Sequence, residues 1–245
     1  MNRTLMSAFR GGIRLLNIST KTRLEKAALL SSIVVSICVL AGSIINLIRP
    51  IYFEAAIGLV SLIIFIGVQI FLNRGSWLRN PPVMQICISA LVFLSVFIGR
   101  FFSLYKLVPG YDKSQHFLYG MAFCVCGLVL FYLLNPGQAS RLTVSTSTII
   151  WFAVGFSLIC GFAWELFEFA CDRLFDTNMQ AWKQGLAHGL IDTMADLIID
   201  LAGSVLVALF ARQKLVRSPG AFYERYMAGF LPVRPAEADP AGGGK

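Results

Sequence analysis

The chain has 245 residues, of which 57% are hydrophobic and only 14% are charged, whereas soluble domains carry about 25% charged residues. The apolar residues form long uninterrupted runs, a pattern that excludes an ordinary soluble domain and indicates membrane-spanning helices. The net charge of +8 does not indicate a nucleic-acid partner, because Lys and Arg cluster at the chain ends and in short loops, where membrane topology places them.

In chain order, the basic segment 1–26 is predicted to be a cytoplasmic head, either an amphipathic helix on the membrane surface or a flexible tail. A transmembrane domain is predicted over 27–212, and a flexible cytoplasmic tail, rich in Pro, Gly and Ala, over 213–245. The six predicted transmembrane helices are near 27–48, 51–72, 82–104, 115–134, 145–172 and 186–211. The predicted fold class is therefore an all-α membrane protein, a polytopic bundle of six helices.

The distribution of basic residues predicts the orientation of this bundle. With the amino terminus inside, fifteen Lys and Arg residues fall on the inner side and six on the outer side. Cytoplasmic loops of membrane proteins are enriched in these residues. Both termini are therefore predicted to be cytoplasmic.

Acidic residues concentrate between positions 112 and 200, where eight of the thirteen Asp and Glu residues and both histidines lie. These residues are Asp112, His116, Glu165, Glu168, Asp172, Asp176, His188, Asp192, Asp196 and Asp200. Most are three or four positions apart within the last three predicted helices, a spacing that puts them on one face of each helix. The predicted topology places all three polar stripes in the outer half of the bilayer, with Asp172 and Asp176 solvated at the loop.

A charged residue near the centre of a membrane helix costs about 2.5–3.5 kcal/mol on insertion scales. The deeper acids must therefore face one another, a cavity, a cation or a proton. A divalent metal ion (Mg, Mn, Fe or Zn) would resolve the repulsion between the carboxylates. The predicted ligands are Asp112, His116, Glu168, His188, Asp192 and Asp196.

Other polar residues receive separate predicted roles. Glu165 and Glu168 are candidate general bases. Asp200 is a further polar intramembrane residue. Arg100 is a candidate counter-ion for Asp200 or Glu165, or a side chain that extends to the headgroups.

The stretch from Asp112 to Phe117 resembles the Asp-Lys-x-x-His-Phe motif of VanZ-like bacterial membrane proteins. The stretch from about 110 to 210 is also similar to the YjdF-like family, also called DUF2238. Three segments carry that similarity: the His-Phe-x-x-Gly motif from His116, the Trp-Glu-x-x-Glu motif from Trp164, and the Asp-x-x-x-Asp pair that begins at Asp192. The resemblance implies a multi-pass protein of the bacterial inner membrane and does not imply a particular activity.

Three functions fit these observations. The first is metal-dependent chemistry on a lipid headgroup or a lipid-linked envelope precursor, with membrane lipids as partners. The second is a transporter or flippase coupled to protons or cations. The third is a structural partner subunit whose polar stripes fasten the helices. The residues do not decide whether the protein is an enzyme, and they indicate no particular protein partner.

Overall fold

A computed structural model describes residues 22–74, 81–135 and 144–231, and the regular structure in these ranges is helical throughout. The helices are α1 Arg23–Ile48, α2 Tyr52–Arg74, α3 Pro82–Val92, α4 Leu104–Leu107, α5 Tyr111–Leu134, α6 Thr146–Leu174, α7 Leu186–Arg217 and α8 Pro219–Phe222. Helix α3 continues as a π-helix over Phe93–Phe101. A 3-10 turn at Trp182–Gln184 precedes α7, and α8 is followed by a π-helical turn at Tyr223–Met227.

Six helical segments are long and apolar enough to cross a membrane: α1, α2, α3 with its π-helical continuation, α5, α6 and α7. Large apolar side chains cover their outward surfaces; Ile63 is 70% exposed, Trp151 73% and Ile198 64%. Lipid tails cover such surfaces without the cost that water would impose. The predicted all-α membrane fold is thereby confirmed.

The observed helix ends differ from the predicted ones in ways that bear on the site. Helix α5 begins at Tyr111, four residues before the predicted start, so that Asp112 lies in its first turn. Helix α7 continues to Arg217.

The structure describes residues 213–231 of the predicted cytoplasmic tail. Phe222, Met227 and Leu231 are buried in the same hydrophobic core as Tyr132 and Leu215. Burial of these apolar side chains stabilises the packed position of the segment that carries them. Residues 232–245, and residues 1–21 of the predicted basic head, lie outside the described residues.

The chain divides into two compact units. Of the described residues, the first unit contains 22–71 and 81–104, and its core contains Val39, Phe65 and Val96. Polar side chains form hydrogen bonds between its helices: the partly buried Ser32 hydroxyl is hydrogen-bonded to Ser89 at 3.2 Å and accepts from Gln85 Nε2, also at 3.2 Å. This arrangement joins α1 to α3 without charge.

The second unit contains α5, α6 and α7 and all of the clustered acids. Glycines let α5 and α7 approach closely, because a Cβ atom at Gly120 would meet the backbone carbonyl of Asp200, and one at Gly203 would meet that of Phe117. Ser157 on α6 donates a hydrogen bond to the carbonyl oxygen of Gly120 at 2.9 Å. Small residues at such contacts are typical of membrane helices. This packing brings the polar faces of the three helices together.

Candidate metal centre

Three side chains from two helices offer metal-binding atoms within 4.8 Å of one another. They are Asp112 and His116 on α5 and Asp196 on α7. Asp112 and His116 are one helical turn apart and therefore share a face. His116 is 4% exposed and Asp196 is fully buried. The predicted convergence of α5 and α7 is thus present in the structure for these three residues.

The imidazole of His116 lies at the centre of this group. Its Nε2 atom is 3.9 Å from Asp112 Oδ1, 3.7 Å from Asp196 Oδ1 and 3.9 Å from Glu165 Oε1. Its Nδ1 atom is 3.3 Å from Asp200 Oδ2. In the tautomer with the proton on Nδ1, the Nδ1–H group donates a hydrogen bond to Asp200, and the lone pair of Nε2 faces three carboxylate oxygens. A carboxylate behind a histidine in this way fixes the ring and its tautomer in metal sites.

Glu165, on α6, supplies the third of the carboxylate oxygens near His116 Nε2. The residue is 3% exposed, and its Oε1 atom has no hydrogen-bond partner among the described residues. Its Oε2 atom accepts a hydrogen bond from Gln180 Nε2 at 3.2 Å. A buried carboxylate oxygen without a hydrogen-bond donor costs free energy of folding. The Oε1 atom of Glu165 lies on the Nε2 side of the His116 ring.

The loop after α6 holds Gln180 against Glu165. Asp172, near the end of α6, accepts hydrogen bonds from the backbone N–H groups of Met179 at 2.7 Å and Gln180 at 3.0 Å, and from the Thr177 hydroxyl. Asp172 is 2% exposed, so the prediction that it is solvated is wrong. The loop returns over α6, and its backbone N–H groups replace water around this carboxylate. Asp176 is exposed, as predicted.

Lys113 belongs to the cluster although it was not among the predicted site residues. Its Nζ atom donates to Asp192 at 2.6 Å, to Asp196 at 2.8 Å and to Asp112 at 3.3 Å. Because acidic residues within a membrane usually pair with a cation, a lysine next to Asp112 was a signal that could have predicted this role. Helical spacing did not indicate Lys113, because it lies one position after Asp112 and therefore off the helix face that Asp112 and His116 share.

The remaining predicted site residues are not among the three grouped ligands. Glu168 is 5% exposed and accepts a hydrogen bond from the Trp164 indole at 2.9 Å; it is not among the three grouped ligands, and Glu165, three residues earlier, faces His116 instead. His188, in the first turn of α7, is exposed and outside that group as well.

Two other predicted residues contact charged partners. Asp192 belongs to the cluster through its ion pair with Lys113. Arg100 forms an ion pair with Glu54 at 3.4 Å within the first unit.

The cluster is layered from a partly open edge to a closed interior. The side chains of Asp112, Lys113 and Asp192 are 30%, 29% and 19% exposed, while those of Glu165 and Asp200 are 4% and 2% exposed. Five carboxylates surround two groups that can be cationic, Lys113 and His116. An excess of buried negative charge of this kind favours a further cation or bound protons.

The donor set fits a divalent transition metal. One imidazole nitrogen with carboxylate oxygens suits Mn, Fe or Zn, whereas Mg and Ca prefer oxygen ligands alone. The Glu165 oxygen without a hydrogen-bond donor and the Asp200–His116 contact are features typical of such a centre.

These observations define the class of protein: a polytopic helical membrane protein with a buried histidine–carboxylate cluster in its last three spans. The chain belongs to the DUF2238 family of predicted membrane proteins, whose family model matches residues 31–216. The expected YjdF-like membership is thereby confirmed, and the resemblance to VanZ-like proteins stays a prediction.

A relative from Thermotoga maritima, described as an uncharacterized protein, is 30% identical over 135 residues. The aligned stretch covers 55% of this chain and 64% of that relative's length. No solved structure matches the chain.

Proposed function

We propose that the protein holds a divalent metal ion, Mn, Fe or Zn, at Asp112, His116, Glu165 and Asp196, and uses it for chemistry on a lipid headgroup or a lipid-linked envelope precursor. The observation that carries the proposal is the position of His116, with Nε2 within 3.9 Å of oxygens from three carboxylates and Nδ1 against Asp200. The Thermotoga relative is bacterial, and the proposed location is the bacterial inner membrane.

Each group in the cluster has a role in this proposal. Asp200 orients the His116 ring, and Gln180 holds Glu165 by one oxygen so that the other stays directed at the centre. A bound metal ion would polarise a phosphoryl or carbonyl oxygen or activate a water molecule. Glu168, one turn from Glu165 on α6, would take the proton from that water, because Glu165 serves as a metal ligand.

The partly exposed edge at Asp112, Lys113 and Asp192 supports a substrate that approaches from the end of the helices. By the predicted orientation this end faces outward, at the level of the headgroups of the outer leaflet. A headgroup attached to a lipid would reach the edge while its acyl chains stay among the apolar outward surfaces. The proposed partners are accordingly membrane lipids.

Elemental analysis of the full chain, purified in detergent, tests the proposal. We expect about one Mn, Fe or Zn per chain in the native protein or after titration, with loss of binding in His116→Ala and Asp196→Asn. His188→Ala is the matched control, because His188 is exposed and outside the three grouped ligands, and it should bind metal as the wild type does. Release of headgroups from bacterial lipid extract should require the metal and stop on chelation. A wild-type protein that binds no metal would remove the proposal.

A further inference from the structure

Lys113 occupies a position that overlaps the candidate metal centre. Its Nζ atom lies 2.8 Å from each carboxylate oxygen of Asp196. One of these, Oδ1, is the oxygen that faces His116 Nε2 at 3.7 Å. Nζ also reaches the second oxygen of Asp112, at 3.3 Å. The ammonium group therefore contacts two of the three grouped ligands.

A metal ion and an ammonium group cannot share the Asp196 oxygen without strong repulsion, because both are cations within a few ångströms in a site that excludes most water. Asp192 offers the ammonium another partner. It holds Nζ at 2.6 Å, the shortest of the Lys113 contacts, and it is not a member of the grouped ligands. The lysine can thus leave Asp196 while it keeps an ion pair at the partly open edge.

We propose that Lys113 is a tethered cation that competes with the metal ion for Asp196, and that Asp192 is the carboxylate that receives Lys113 when the metal binds. The inference rests on the proposed metal centre and adds a regulator to it. The lysine neutralises the acids when the centre is empty. It also weakens metal binding, so that the ion can be exchanged.

Metal titration of purified variants tests this role. Lys113→Gln should bind Mn or Zn more tightly than the wild type, by on the order of tenfold, because the competitor is gone. Lys113→Arg should stay near the wild type because it keeps the charge. Lys183→Gln is the matched control, since Lys183 pairs with the exposed Asp176, and its affinity should not change.

A double-mutant cycle separates competition from general electrostatics. Asp192→Asn should weaken metal binding in the wild type, because Lys113 loses its alternative partner. In the Lys113→Gln background the same change should have little effect. If Asp192→Asn weakens binding equally in both backgrounds, Asp192 acts only through its charge and the proposed exchange is overturned.

A further measurement uses the wild-type protein and therefore does not depend on the folding of a variant. Modification of lysines by an amine-reactive reagent, read by mass spectrometry, should increase at Lys113 when metal is added and stay constant at Lys183. If the wild type binds metal but Lys113→Gln binds no more tightly and Lys113 labelling is unchanged, the inference fails while the metal centre stands. If the wild type binds no metal, both fail.

Discussion

At the scale of single residues, the structure separates groups that the sequence could not rank. Spacing by three and four positions predicted one polar face on each helix; Asp112, His116 and Asp196 form one group, whereas Glu168 and His188 lie outside it. Glu165 and Glu168 are three apart on α6, so spacing alone gives both the same side, and the rotation of α6 decides that Glu165 faces His116. Lys113 could not be placed either, because its long side chain reaches partners that lie off its own helix face.

Asp200 provides a test of how the histidine is oriented. Asp200→Leu should weaken metal binding about 10- to 100-fold, because the His116 ring loses the partner that fixes its tautomer. Asp200→Asn should give a smaller loss, since an amide oxygen can still accept from Nδ1. Asp176→Asn, at an exposed loop position, is the control and should bind as the wild type does.

Thermal unfolding in detergent, measured together with metal affinity, distinguishes this role from a structural one. Removing one partner of a buried polar pair is destabilising, so metal-free Asp200→Leu should melt below the wild-type temperature, and the metal affinity decides between the two roles. A large fall in melting temperature with unchanged metal affinity would show that Asp200 fastens helices and does not position His116.

At the scale of elements, the six spans could be predicted because apolar length alone determines them. The start of α5 was predicted four residues late, since Asp112 and Lys113 look like loop residues until their partners on α7 are known. The π-helical continuation of α3 and the packed segment after α7 were missed for a similar reason. The packing of residues 218–231 depends on contacts with segments distant in sequence. The aromatic and apolar side chains of this segment, such as Phe222 and Met227, were the signal that distinguishes it from the Pro-, Gly- and Ala-rich sequence after it.

The close approach of α5 and α7 gives a prediction about packing. Gly203→Ala adds a Cβ atom that would meet the backbone of Phe117, which cannot move without shifting the whole helix. The expected destabilisation is about 1–3 kcal/mol, with weaker metal binding because His116 moves relative to Asp196. Gly155→Ala on α6 is the matched control, because a Cβ atom there meets nothing within 4 Å. Equal melting temperatures for the two variants would contradict the proposed role of the contact.

At the scale of the whole molecule, the orientation in the membrane decides which solution the partly open edge of the cluster faces. The charge bias predicts that both termini are cytoplasmic and that the loop containing Lys183 is outside. Reporter fusions after residue 183 should report an external location, and fusions after residue 231 an internal one. The opposite result would put the cluster at the cytoplasmic leaflet and replace the proposed envelope substrate with a cytoplasmic one.

The central claim is that His116 and three carboxylates hold a metal ion. An experimental structure of the purified protein with Mn or Zn, measured with the anomalous signal of that metal, tests it most directly. We expect one peak bonded to His116 Nε2 and bordered by Asp112, Glu165 and Asp196, with Lys113 moved to Asp192. The account would be contradicted by no peak at saturating metal and a Lys113 that still spans Asp192 and Asp196.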